Sequence, residues 1–181
     1  MHFIDADSCA LVLVDYQQRL LPAIHRGDEV VAQALRLAQV ARELGLDIVG
    51  TEQNPAGLGP NHEALRALCD TTLAKMHFDA CADGLLGALR EGTGQLPREV
   101  VVAGCEAHVC LLQTALELIE DEFEVWVVTD ACGSRTERNR DAAYDRLAGA
   151  GAELLTTEMV CFEWLRSCEH PAFKDVLALV K

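Results

Sequence analysis

No stretch of this sequence is apolar for long enough to cross a membrane. The cleanest runs, residues 10–14 and 125–128, fall far short of the ~20 residues that a span requires. The opening residues Met1-His2-Phe3-Ile4-Asp5-Ala6-Asp7 lack the basic and apolar regions of a signal peptide, so the expected location is the cytoplasm. Basic charge is also scarce. Lys and Arg number 15 against 29 Asp and Glu, a net charge of −14, and such a surface repels phosphate backbones. Nucleic acid and membrane are therefore not expected as partners, which leaves a small-molecule substrate. Gly/Ser/Pro linkers, low-complexity tracts and internal repeats are absent too, so residues 1–181 read as one domain, long enough to bury a sizeable core.

What is there is an ordinary globular mixture, 50% hydrophobic and 24% charged. Its eight cysteines lie mostly inside apolar strand or helix patterns and follow no export signal. They are expected as small buried hydrophobes rather than a disulfide framework. The pattern alternates between strand and helix from end to end. Strands are predicted over 9–15, 46–51, 71–74, 99–103, 124–129 and 152–155. Helices are predicted over 29–44, 62–68, 80–90, 109–120, 138–150, 158–166 and 172–180, with Gly45 capping the first. Two Pro and two Gly make 54–61 a loop, and 92–97 reads as a turn. Strands that run as continuous Val/Ile/Leu blocks are buried on both faces, which means a parallel sheet between helical layers. The fold class is therefore doubly wound, Rossmann-like α/β: three α/β/α layers with a mainly parallel sheet of five or six strands.

In that architecture ligands bind outside the carboxyl ends of the strands. Three polar residues stand there: Asp15 closes the first strand, Lys75 follows the extended piece 71–74, and Cys110 comes a six-residue turn after strand 99–103. Cys110 also stands where a helix begins, facing unpaired N–H groups and the positive end of the helix dipole. Both favour thiolate over thiol. A carboxylate to act as base, an ammonium to stabilise charge and a thiol to attack make a working hydrolytic set.

The same residues carry a resemblance. Ala10-Leu11-Val12-Leu13-Val14-Asp15-Tyr16-Gln17, then Lys75, then Gly104-Cys105-Glu106-Ala107-His108-Val109-Cys110 resemble, in kind and order, the isochorismatase-like cysteine hydrolases. That superfamily includes nicotinamidases and N-carbamoylsarcosine amidase. Thr51-Glu52-Gln53-Asn54-Pro55-Ala56-Gly57-Leu58-Gly59-Pro60 and Asp130-Ala131-Cys132-Gly133-Ser134-Arg135 are similar to its isochorismatase-domain-containing subgroup rather than to the nicotinamidases, and the resemblance spans residues ~7 to ~165. It implies covalent catalysis by an Asp15, Lys75, Cys110 triad through a thioester, and a homo-oligomer. It also implies a cis peptide at Cys105–Glu106, with the backbone amides of Glu106 and Cys110 as the oxyanion hole. The nicotinamidase metal site resembles Asp-x-His with a later His. Here that segment reads Glu52-Gln53-Asn54-Pro55 with only His62 nearby, so neither metal nor cofactor is expected. An anionic isochorismate-like substrate would find little positive charge in these loops beyond Lys75.

Around the triad, Gln17, Leu20, Glu52, Gln53 and Pro55 are candidates for the pocket wall. His77 and His108 flank it, either lining the pocket or hydrogen-bonded for local structure. Gly57-Leu58-Gly59 lacks the Lys and Ser/Thr of a phosphate loop. Cys161, Cys168 and His170 lack a tight Cys-x-x-Cys pair and read as packing or surface positions. Trp164 and the apolar residues Phe173, Val176, Leu177 and Val180 are the expected oligomer contacts. The function that follows is hydrolysis of a small amide, imide or related carbonyl C–N bond. The alternatives are a non-enzymatic scaffold, or redox sensing through Cys105 and Cys110.

Overall fold

The computed structural model describes residues 2–92 and 94–181. Residue 1, and residue 93 within the turn expected over 92–97, lie outside the described residues. The chain forms β1 (Cys9–Val14), α1 (Gly27–Glu43), β2 (Asp47–Gln53), α2 (Pro55–Leu58), α3 (Glu63–Arg66) and β3 (Thr71–Lys75). There follow α4 (Leu85–Glu91), β4 (Glu99–Gly104), α5 (Leu112–Glu120), β5 (Glu124–Val128), α6 (Glu137–Ala150), β6 (Glu153–Leu155), α7 (Thr157–Leu165) and α8 (Phe173–Val180). All six strands are parallel, in the order β3-β2-β1-β4-β5-β6. The chain winds outward from β1 to β3, then returns to the other side of β1 and winds outward again. The reversal falls between β1 and β4, and in sheets of this kind ligands bind in the crevice beyond the strand C-termini at that switch point.

Helices cover both faces of the sheet. α1 packs against α3, α7 and α8, and α5 against α6. β1 and β4 are buried along their whole lengths, which is why they carry Ala, Leu, Val and Cys without polar alternation. Helix ends follow local chemistry. Thr136 and Thr156 accept the N–H of Asn139 and Met159 to cap α6 and α7. Gly45 takes the left-handed turn after α1, with its own N–H and that of Leu46 returned to Arg42 and Ala41.

Several boundaries differ from the sequence expectation. β2 runs two residues further, because Glu52 and Gln53 pair with Ala74 and Lys75 and bury their side chains in hydrogen bonds. Lys75 is thus the last residue of β3 rather than the first beyond it. The region 54–61 contains the short helical turn α2, with Pro55 at its first position. The helix expected over 80–90 is divided by Gly84, whose φ is 103°, into a 3-10 turn and α4. Trp164, an aromatic suited to either the core or an interface, lies in the core, and Val176, expected at an oligomer surface, is instead buried where α7 and α8 pack on α1. The large exposed apolar side chains are Phe3, Met76, Phe78, Leu96, Met159 and Phe162. Among the described residues no helix is long and apolar enough to cross a membrane.

Two stability predictions follow from the interior. A Cβ on Gly104 would stand 2.3 Å from the Val14 carbonyl oxygen, so β4 approaches β1 this closely only with hydrogen at that position. Gly104→Ala lowers the unfolding free energy by about 3 kcal/mol, read as a reduced urea midpoint at unchanged slope. The eight cysteines are free thiols, and burial pushes Cys9, Cys132 and Cys161 up to about 12. Unfolded thiols ionise near their ordinary value of 9, so this stabilisation is complete below pH 9 and is lost as pH climbs toward 12. Under reducing conditions the melting temperature falls by roughly 5–10 °C between pH 8 and pH 10.5. An unchanged value would contradict burial of these thiols.

Candidate active site

β1 ends in a turn rather than a gradual exit. Asp15 adopts a left-handed backbone with φ 52°, a region that Asp tolerates better than most residues, and its N–H donates to the Thr51 carbonyl at 3.2 Å. Its carboxylate is fully buried. Oδ1 accepts from the Thr51 hydroxyl at 2.7 Å, and Oδ2 pairs with Lys75 Nζ at 2.8 Å. Lys75 is equally buried and donates as well to Gln53 Oε1 at 2.8 Å and to the carbonyls of Phe78 and His77 at 3.2 and 3.3 Å. Its three donor protons thus face four acceptors, so every donor of the side chain is engaged. β1, β2 and β3 each contribute one part, so the sheet itself sets the geometry.

Cys110 comes from the far side of the crevice. After Gly104 the chain passes through a cis peptide at Cys105–Glu106, the position that the resemblance implied. Residues Ala107–Leu111 then form a π-helical turn that leads into α5, with the Leu111 N–H reaching back to the Glu106 carbonyl. Cys110 therefore sits within a widened first turn, not at a helix start. The turn is anchored from outside. Ala107 N–H donates to the Gly133 carbonyl at 2.7 Å, and Glu106 Oε2 accepts from Arg135 Nε at 2.8 Å.

The protonation of Cys110 differs from the sequence expectation. Burial, followed by the charge of Asp15, pushes its thiol up to about 12, against a smaller lowering by Lys75. Hydrogen bonding to Asp15 raises it further and hydrogen bonding to Lys75 lowers it, so the thiol lies within reach of both. The helix dipole argument misjudged the outcome because it weighed only the local backbone, whereas desolvation is larger. Burial and the Asp15 carboxylate thus both favour the thiol form of Cys110 over the thiolate.

The other sequence candidates fall into distinct positions. Gln17 is fully buried, and its amide is occupied by the backbone of Gln53 and Gly59. Gln53 touches the ion pair directly. Glu52, its neighbour on the strand, is engaged elsewhere, accepting the Asn61 N–H and pairing with Arg66 at 3.4 Å. Leu20 is half-buried against the core, and Pro55 is half-buried at the start of α2. His77 meets Lys75 through its carbonyl only; its exposed ring pairs with Asp83. The half-buried His108 has Nδ1 3.0 Å from Ser134 Oγ and Nε2 3.4 Å from Asn139 Nδ2. Thr51 is the contact that sequence reasoning missed. It closes the strand expected over 46–51, and the rule favouring polar residues at strand C-termini selects it.

A cleft of about 680 Å³ lies between α3 and β3, lined in part by Asn61, Glu63, Arg66 and Thr72, and contains none of the three reactive residues. Volume and chemistry thus diverge, and the convergent ionisable groups are the better guide to a catalytic centre. Among the described residues, the group of ligating side chains compact enough for a metal ion is His2, Glu99 and Glu124, at the N-terminal ends of β4 and β5.

A six-stranded parallel doubly wound sheet with helices on both sides is the α/β fold of the isochorismatase-like proteins, and the comparisons with known proteins agree on that fold. Residues 9–159 match the isochorismatase domain. The chain is 38% identical over 170 residues to isochorismatase domain-containing protein 1 of Danio rerio, covering 92% of this chain and 59% of that protein's length. It is 35% identical over 178 residues to isochorismatase domain-containing protein 2A of Mus musculus, covering 97% and 84%. Among solved structures, the MAR1 ribonuclease of Caenorhabditis elegans superimposes with a TM-score of 0.90 at 31% identity, covering 99% of this chain and 92% of that one. YcaC of Pseudomonas aeruginosa, bearing hexane-2,5-diol and covalent acrylamide, gives 0.89 at 28%, covering 98% and 91%. Escherichia coli YcaC, described as an octameric hydrolase of unknown specificity, gives 0.87 at 28%, covering 98% and 96%. The chain belongs to the isochorismatase family.

Asp15 raises the thiol of Cys110, so removing its charge makes the thiol more acidic. In Asp15→Asn, alkylation of Cys110 by iodoacetamide at pH 8, followed by intact mass, speeds up by about threefold to tenfold relative to the parent. A slower reaction would mean that the carboxylate does not act on the thiol.

Proposed function

We propose that this chain is a cysteine hydrolase that cleaves a small amide, imide or related carbonyl C–N bond, with Asp15, Lys75 and Cys110 as its catalytic residues. The observation that carries the reading is the fully buried Asp15–Lys75 pair at the ends of β1 and β3, joined there by a buried thiol that its surroundings hold above its ordinary pKa. Asp15 takes that proton as Sγ attacks the carbonyl carbon, and the carbonyl π electrons move to oxygen. The backbone amides of Glu106 and Cys110 receive the oxyanion. Collapse expels the amine, which leaves with the proton from Asp15, and a thioester remains. Water then attacks the thioester carbon, gives a proton to Asp15, and the acid departs as Sγ is reprotonated. Lys75 stays paired with Asp15 throughout and orients its carboxylate toward Sγ. Base, cation and nucleophile all come from the chain, so the scheme calls on no metal.

The relatives support this reading. A structure of the same fold from Pseudomonas aeruginosa carries covalent acrylamide, which fits a nucleophilic site. The octameric Escherichia coli relative supports a homo-oligomer, for which Met76 and Phe78, exposed beside the Lys75 shell, offer apolar surface. The ribonuclease description of the Caenorhabditis elegans relative fits this chain poorly, because a net charge of −14 opposes a polyanionic substrate. Eight free thiols suit a reducing, cytoplasmic setting.

Intact-protein mass spectrometry over a panel of small amides, imides and esters tests the proposal. A productive substrate leaves an acyl increment on Cys110, and Cys110→Ala loses that increment together with about 10³-fold or more of kcat. Turnover that survives Cys110→Ala would refute it.

A further inference from the structure

The N-terminal ends of the central strands hold a second cluster of charge, at the end of the sheet opposite Cys110. Glu99 and Glu124 are the first residues of β4 and β5 and are register partners on these neighbouring parallel strands. Like charges placed side by side on a sheet repel, and Glu99 is almost completely buried, which sharpens the cost. His2 closes over both. Its Nε2 lies 3.4 Å from Glu99 Oε1 and 2.7 Å from Glu124 Oε2, and the three ligating atoms fall within 4.8 Å of one another.

Each of these side chains is held by a partner on its other side. Arg98 donates to Glu124 Oε1 at 2.6 and 3.1 Å, leaving Oε2 facing His2. The Asp5 N–H donates to Glu99 Oε2 at 3.1 Å, leaving Oε1 on the same side. The His2 ring stands edge-on to Trp126, with centroids 5.6 Å apart. Outer partners of this kind fix the orientation of metal ligands. One polar atom remains unanswered: the buried indole N–H of Trp126 has no acceptor, whereas Glu124 Oε2 has only His2 Nε2 beside it. The indole, His2 and Glu124 line one cavity of about 200 Å³ with Phe123, Gly151 and Glu153.

We propose that His2, Glu99 and Glu124 bind a divalent transition-metal ion of the zinc class. One imidazole and two carboxylates suit zinc better than calcium or magnesium, which favour all-oxygen sites of six or more ligands. Bonds of about 2.0–2.2 Å in a tetrahedron separate ligand atoms by about 3.3–3.5 Å, which the 3.4 Å from His2 to Glu99 matches and which the 2.7 Å from His2 to Glu124 reaches by a small outward shift of the Glu124 carboxylate. The fourth position opens into the cavity, where a metal-bound water oxygen would meet the Trp126 N–H. The ion neutralises the paired carboxylates and clamps the N-terminal segment to the sheet, remote from the crevice that holds Cys110.

Zinc chloride titrated calorimetrically into the chelator-treated full chain tests this, with cobalt(II) as the spectroscopic probe. One equivalent binds at micromolar concentration and raises the melting temperature. His2→Ala and Glu124→Gln lose that equivalent or weaken it about 100-fold. The cobalt form of this equivalent lacks the intense near-ultraviolet band of a thiolate ligand, which separates it from ions taken up by cysteines. Hydrolytic turnover is unchanged in both variants, because neither residue touches the crevice. No uptake by the parent chain, equal affinity in parent and variants, or a thiolate band on the first equivalent would overturn the proposal.

Discussion

Everything at the crevice depends on one ion pair sealed from water. Removing a carboxylate and an ammonium from solvent is expensive, and a pair of this kind survives only where further hydrogen bonds complete each ion's shell. Here the completion comes from Thr51, Gln53 and the carbonyls of His77 and Phe78, so three strand ends and the loop after β3 are tied to a single charge centre. Deleting either ion strands the other in a dry site, at about 3–5 kcal/mol. The pair therefore joins the ends of β1, β2 and β3: a chain that cannot form it loses the tie between those three strand ends and, in the proposed mechanism, its base.

The wider architecture puts this charge centre where a thiol can reach it. Asp15 leaves β1 on one side of the switch point and Cys110 arrives from β4 on the other, with Gly104 drawing the two strands into contact. The turn that carries the thiol is braced from the 130–135 region by Gly133 and Arg135. Cys110 is thus held between β4 and α5 and braced from the 130–135 region, the kind of arrangement that a precisely positioned nucleophile would require.

Much of this was legible in the chain. Continuous apolar strands alternating with helical periodicity specify a parallel sheet whatever the tertiary detail, and the strand C-terminus rule then picks out Asp15, Lys75 and Cys110. Properties that only distant residues decide were not legible. The thiol proton of Cys110 is set by desolvation and by a carboxylate 95 positions away in the chain, whereas the dipole argument saw only its own turn. His77 faces away because Asp83 captures its ring, and only its backbone enters the site. Trp164 and α8 look like surface in a linear reading because nothing local announces that α1 lies across them.

The protonated state of Cys110 reaches beyond the catalytic cycle. Peroxide and adventitious electrophiles react with thiolates and largely ignore thiols. Under the proposed mechanism, a sulfur whose proton departs only toward Asp15, with a carbonyl carbon in position to receive the electron pair, would stay dormant between substrates. Selectivity then resides partly in when the sulfur becomes reactive, and a cell rich in oxidants finds little there to damage.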